Sequence, residues 1–183
     1  MLSIKELRSL ASKFSGPEFK RQLGPFALVQ RPPDEVVQKM AVELGAQRTM
    51  ANVQRQSAET VQALMFEFED LVVATLPELQ KDEPLYVGRL PDCDLVIDDP
   101  SVSKKHAALE WDDTLKRCSM TDLNSTNGTL LNGSGLAAPE VNLKDGDVIS
   151  FGNAQFVYLL TDTLFARLGG GRARSFPRKS PRQ

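Results

Sequence analysis

Little in this chain is suited to covalent, redox or metal chemistry. Among 183 residues it has two cysteines, one histidine and one tryptophan. Cys93 and Cys118 are too few for a disulfide framework and have no metal-ligand spacing, so both are expected as small reduced residues in or near a core. The lone histidine, His106, has no nucleophile, base and acid around it in the sequence to complete a catalytic set. There is no Gly-rich phosphate loop with its lysine and no nucleophile elbow. No catalytic residue, metal or cofactor is therefore expected, and an enzyme is the least favoured class. Long hydrophobic runs are missing too, since none approaches the roughly 20 residues that span a bilayer. The opening residues Met1-Leu2-Ser3-Ile4-Lys5-Glu6 are polar and periodic where a secretory signal needs an apolar stretch. A cytoplasmic protein with no membrane partner is the expectation.

What is present is charge, unevenly placed. The chain totals −2, but residues 1–33 carry +4 and residues 163–183 carry +6, which leaves −12 for residues 34–162. A central region that acidic repels phosphate backbones at long range, so nucleic acid is disfavoured as the main ligand. If this region binds a phosphate, a few local groups must hold it.

Along the chain, Ser3 and Glu6 have capping-box spacing, and Ile4, Leu7, Ala11 and Phe14 follow at helical spacing until Ser15-Gly16-Pro17 stops the run. This predicts an amphipathic helix over 4–14, packed on its own domain or docked on a partner. Phe26 to Gln30 is a brief apolar segment closed by Arg31-Pro32-Pro33. Asp34 is a suitable N-cap for a second helix over 35–44, built on Val36, Val37, Met40, Ala41 and Leu44 with Gly45 at its end. A weaker helical rhythm continues to residue 65. No internal repeat is present.

From residue 71 the texture changes to short β-rich runs separated by turn residues at roughly 8–12 residue intervals, the pattern of an all-β sandwich. Strands are expected at 71–76, 85–88, 95–97, 107–111, 117–122, 129–131, 147–151 and 155–160. No crossover helix separates them, which disfavours a parallel α/β sheet. Leu164, Phe165 and Leu168 can form one closing helical turn, and Gly169-Gly170-Gly171 opens a basic tail expected to be disordered. The division is thus a partly helical extension over 1–65, an antiparallel β-sandwich over 66–165 and a basic tail over 166–183.

Three short motifs stand in the β-rich part: Val87-Gly88-Arg89 after an alternating run, Ser103-Lys104-Lys105-His106 before another, and Asn124-Ser125-Thr126-Asn127-Gly128 between two strands. With Asp122 and Asp145-Gly146-Asp147-Val148-Ile149, their order, spacing and identity resemble the forkhead-associated (FHA) domain, a phosphothreonine-binding β-sandwich, over about residues 76–160. A phosphothreonine offers close to two negative charges and three acceptor oxygens, so its site needs a bidentate donor, a second orienting donor and backbone amides. The resemblance implies that Arg89 binds the phosphate and that the Ser103 hydroxyl takes a phosphate oxygen. Lys104, at a variable position of the family, lies near the phosphate or the peptide, or is a solvated loop lysine. Thr126 sits against the phosphate, and the Asn127 side chain bonds the ligand main chain. Gly88, His106 and Gly128 support the loops. Selectivity for phosphothreonine over phosphoserine is also implied.

Three function classes follow. The leading one is a phosphothreonine-dependent protein-binding module in Ser/Thr kinase signalling, whose partner is a phosphorylated kinase or kinase substrate. The alternative is a structural scaffold or assembly subunit in which phosphate recognition is secondary or lost. The third is a DNA- or RNA-binding regulator acting through the basic tail.

Overall fold

A computed structural model describes residues 2–32, 66, 72–75, 84–136 and 138–169. In chain order the described elements are β1 (Leu2–Ser3), α1 (Ile4–Lys13), α2 (Gly16–Leu23), β2 (Phe26–Gln30), β3 (Val72–Thr75), β4 (Leu85–Gly88) and β5 (Leu95–Val96). There follow β6 (Ala107–Asp112), β7 (Arg117–Asp122), β8 (Thr129–Leu131), β9 (Ser134–Gly135), β10 (Glu140–Leu143), β11 (Val148–Phe151), β12 (Ala154–Leu160) and α3 (Thr161–Arg167). The expected helix over 35–44, its Asp34 cap, the rhythm up to residue 65 and the tail from 170 onward lie outside the described residues.

The strands form two sheets. The larger has the order β1-β3-β2-β12-β11-β8-β9 and the smaller β10-β7-β6-β4-β5. Every pairing is antiparallel except that of β4 with β5, where Val87 faces Leu95 and Gly88 faces Val96 in parallel. The sheets pack over a core that includes Phe26, Leu28, Val87, Leu109, Met120, Phe151 and Tyr158, each such side chain worth about 1.5–3 kcal/mol of apolar burial. Cys118 is part of this core and Cys93 is also buried; both are free thiols, and burial pushes that of Cys118 up to about 12.

A second core lies on the other face of the larger sheet, where Ile4, Leu7, Phe19, Leu23 and Leu164 from the three helices cover Ala27, Val29, Val157 and Leu159. Strands β2 and β12 therefore alternate between two apolar surroundings, with Phe26, Leu28, Phe156 and Tyr158 inside the sandwich and the intervening residues under the helices. Phe66 is buried with the helical layer: its carbonyl accepts a hydrogen bond from Arg8 Nη2, and Arg167 stands over its ring at 5.7 Å.

Two expectations are corrected at the N-terminal end. Ser15-Gly16-Pro17 ends α1 but also starts α2, because Pro17 fits a first helical turn and Glu18 reaches back to the Ser15 N–H and hydroxyl at 2.9 and 2.7 Å. Phe26 to Gln30, expected only as an apolar segment ahead of prolines, is an internal strand between β3 and β12; Pro32 falls after it, where no ladder bond is required. The capping box of Ser3 and Glu6 is formed, with Ser3 N donating to Glu6 Oε2 at 2.8 Å and Glu6 N to Ser3 Oγ at 3.2 Å.

Candidate functional site

The site is assembled where β4 ends. Gly88 is buried there, and a Cβ on it would stand 2.3 Å from the Lys104 carbonyl oxygen and 2.9 Å from Cys93 Sγ. Only glycine lets the two strands of chain come that close. The approach is held by the Arg89 N–H donating to the Ser103 carbonyl at 3.0 Å and by Leu90 N–H donating to the Lys104 carbonyl at 3.2 Å. Arg89 itself is exposed. Its Nε donates to the Val102 carbonyl at 3.3 Å, while its terminal nitrogens carry no hydrogen bond to the described residues. The inner edge of the guanidinium is thus held, and its planar outer fork is able to donate in parallel to two oxygens of one anion.

His106 ties the remaining loops together from beneath. It is wholly buried, its Nδ1 accepts from the Ser103 N–H at 3.1 Å, and its Nε2 lies 3.2 Å from the Gly128 carbonyl. These partners define a neutral ring protonated at Nε2 only. Burial holds its pKa below the ordinary histidine value, against the opposing pull of the Gly128 carbonyl and Asp122. Asp122 Oδ2 stands 4.0 Å from Nε2 and accepts from Ser125 Oγ and Thr129 Oγ1 at 2.6 and 2.5 Å, while Oδ1 accepts from Ser125 N–H at 2.9 Å. Burial raises the Asp122 pKa, yet these donors outweigh it and the net direction is down, so the carboxylate is ionised at neutral pH.

Above the histidine, Ser103 Oγ accepts from the Thr126 N–H at 2.9 Å and lies 3.4 Å from Thr126 Oγ1. Asn127 Nδ2 donates to the Ser101 carbonyl at 2.8 Å. Gly128 follows at φ +76°, where an L side chain is strained although nothing stands within 4 Å of the Cβ position. Arg89, Ser103, Lys104, Thr126 and Asn127, separate in sequence, line one open depression of about 450 Å³ with Ser101, Lys105 and Asn124. Gly88, His106 and Gly128 lie beneath or beside it. Lys104 is exposed. Lys105, by contrast, stands over the Tyr86 ring at 4.8 Å and 3.9 Å from Asp92. A second cavity of about 470 Å³ behind the same loop is lined by Arg31, Ile97, Asp99, Asn153 and Phe156 and by none of the expected site residues.

Ser101 is not among the residues the sequence singles out, where Asp98-Asp99-Pro100 marks only a turn. The available signal was the Asp99-x-Ser101 spacing, which favours a side-chain bond from the aspartate to the backbone two residues on.

The family model for the FHA domain matches residues 85–152. This chain carries an FHA domain. The chain is similar to protein phosphatase 2C 70 from Arabidopsis thaliana, 33% identical over 85 residues, which are 42% of this chain and 15% of that protein. It also resembles FhaA from Mycobacterium tuberculosis, 37% identical over 71 residues (39% of this chain, 13% of FhaA), and the human nuclear inhibitor of protein phosphatase 1, 53% identical over 53 residues (27% and 15%). The chain spans less than a sixth of the length of these relatives. Among solved structures, an FHA domain studied for phosphothreonine-dependent interactions is 31% identical over 49% of this chain and 84% of its own, with a TM-score of 0.42. EmbR from Mycobacterium tuberculosis, in complex with a low-affinity phosphopeptide, is 29% identical over 49% of this chain and 22% of its own, also with a TM-score of 0.42. Among the described residues no helix is long and apolar enough to cross a membrane.

Proposed function

We propose that the FHA domain of this chain binds phosphothreonine within an extended peptide and so reports the activity of a Ser/Thr protein kinase on a partner protein. The observation that carries this reading is the convergence of Arg89, Ser103 and Asn127 on one depression, with the outer guanidinium fork of Arg89 unengaged among the described residues. In the proposed complex Arg89 takes two phosphate oxygens, Ser103 and the adjoining Thr126 orient a third, Lys104 adds positive charge from the rim, and Asn127 bonds the peptide main chain. Gly88, His106 and Gly128 hold the loops in place and touch no ligand. The domain acts by binding and not by catalysis, and its partner is a phosphorylated cytoplasmic protein.

The test is a titration of labelled phosphothreonine peptides against the full chain. Arg89→Ala is expected to abolish detectable binding, because removing one partner of a desolvated charge pair costs about 2–5 kcal/mol. Dephosphorylated peptides should not bind. Equal affinity of wild type and Arg89→Ala for the same phosphopeptide overturns the reading.

A further inference from the structure

Ser101 makes four hydrogen bonds, and together they join three loops. Its N–H and its hydroxyl both donate to Asp99 Oδ1, at 2.8 and 2.6 Å, which helps hold the Asp99 carboxyl below the usual carboxylate range. Its Oγ accepts from the Asn153 N–H at 2.8 Å, and its carbonyl accepts from Asn127 Nδ2 at 2.8 Å. The turn between β11 and β12 is pressed on the same residue, since a Cβ on Gly152, which sits at φ +57°, would stand 2.5 Å from Ser101 Oγ and 2.6 Å from its carbonyl oxygen. The Ser101 carbonyl therefore has little freedom: Asp99 fixes it from one side and the Gly152-Asn153 turn from the other.

From this bracing we infer that Ser101 is a positioning residue for Asn127, holding the Asn127 amide in the orientation that reads the main chain of a bound phosphopeptide. The inference rests on the phosphopeptide reading above and deepens it. An unrestrained asparagine amide samples several χ2 orientations, and in most of them its oxygen and remaining N–H are not aimed at one ligand register. Spending one N–H on a fixed carbonyl selects a single amide plane before the ligand arrives, and the ordering cost is then already met. The hydroxyl of Ser101 touches no ligand; it acts through the loop, the loop through its carbonyl, and the carbonyl through Asn127.

This predicts a division between ligands. Free phosphothreonine, blocked at both ends, engages Arg89 and Ser103 but offers little main chain, whereas a phosphothreonine peptide engages Asn127 as well. Ser101→Ala is expected to weaken the peptide about fivefold, the loss of roughly one hydrogen bond, and the blocked amino acid less than twofold. In combination with Asn127→Ala it should cost no more than Asn127→Ala alone, because the two act as one unit. Asp99→Ala, which releases Ser101 from the other end, is a second variant with the same expected division, and thermal melts confirm that the tested proteins are folded. Equal weakening of peptide and blocked amino acid by a folded variant, or additive losses in the double variant, overturns the positioning role. If wild type fails to bind the peptide at all, the phosphopeptide reading itself falls, a result distinct from either of these.

Discussion

At the scale of single residues, His106 decides whether the site exists at all pH values. Its Nδ1 can accept the Ser103 N–H only while unprotonated. Its folded pKa lies below the ordinary value because it is buried, so between the two values the unfolded chain binds the proton and the folded chain does not. The stability it contributes is therefore complete above about pH 6.5 and is lost as pH falls from there toward the lower folded value. Urea unfolding between pH 7.5 and 5 is expected to show this loss, and His106→Asn should flatten the profile in that window. The depressed carboxylates Glu6, Glu18, Asp99 and Asp122 act in a separate, more acidic window: their contribution is present above their unfolded values and lost as pH falls through their folded ones. A profile that is flat from pH 7.5 to 5 in wild type would show that His106 does not carry the loops.

At the scale of elements, the sandwich cannot be cut where the composition changes. β2 lies between β3 and β12 in the larger sheet and supplies Phe26 and Leu28 to one core and Ala27 and Val29 to the other. We propose that the folding unit begins with α1, so a fragment starting at residue 66 should be insoluble or unfolded by circular dichroism, while residues 1–169 should melt cooperatively. The same element shows what the sequence could and could not convey. β7 alternates in burial, and β6, β7, β8 and β11 are each bounded by turn residues, so the runs at 107–111, 117–122, 129–131 and 147–151 find them within a residue at either end. β2 is covered on both faces, so Phe26-Ala27-Leu28-Val29 shows no alternation and reads equally as helix or linker. β10 is not evident in the sequence because Glu140-Val141-Asn142-Leu143 is only four residues long and lies at the sheet edge, paired among the described residues with β7 alone. Of the motif residues singled out in the sequence, Arg89, Ser103, Lys104, Thr126 and Asn127 line one depression. Ser101 is not legible in the sequence, because what it contributes is a carbonyl whose value depends on loops far away in sequence.

At the scale of the whole molecule, the unequal charge sets how a ligand arrives. Residues 84–162, which contain every residue of the candidate site, sum to −6, with six Lys/Arg against twelve Asp/Glu, and a phosphothreonine brings nearly two further negative charges. Attraction by Arg89 and Lys104 is local, whereas repulsion by the body extends over a Debye length, roughly 30 Å at 0.01 M salt and roughly 8 Å at 0.15 M. Raising salt over that range shortens the repulsion while a direct contact of Arg89 with the phosphate, made at hydrogen-bond distance, is less affected, so association and dissociation should respond differently. For a phosphopeptide with neutral flanks, stopped-flow association rates are expected to rise about two- to threefold across this interval, the reverse of ordinary electrostatic steering. A peptide of the same core with lysines on either side carries its own positive field and should associate faster at low salt. If both peptides slow equally as salt rises, the field at the depression is set by Arg89 and the lysines beside it, and the acidic body plays no part in choosing the ligand.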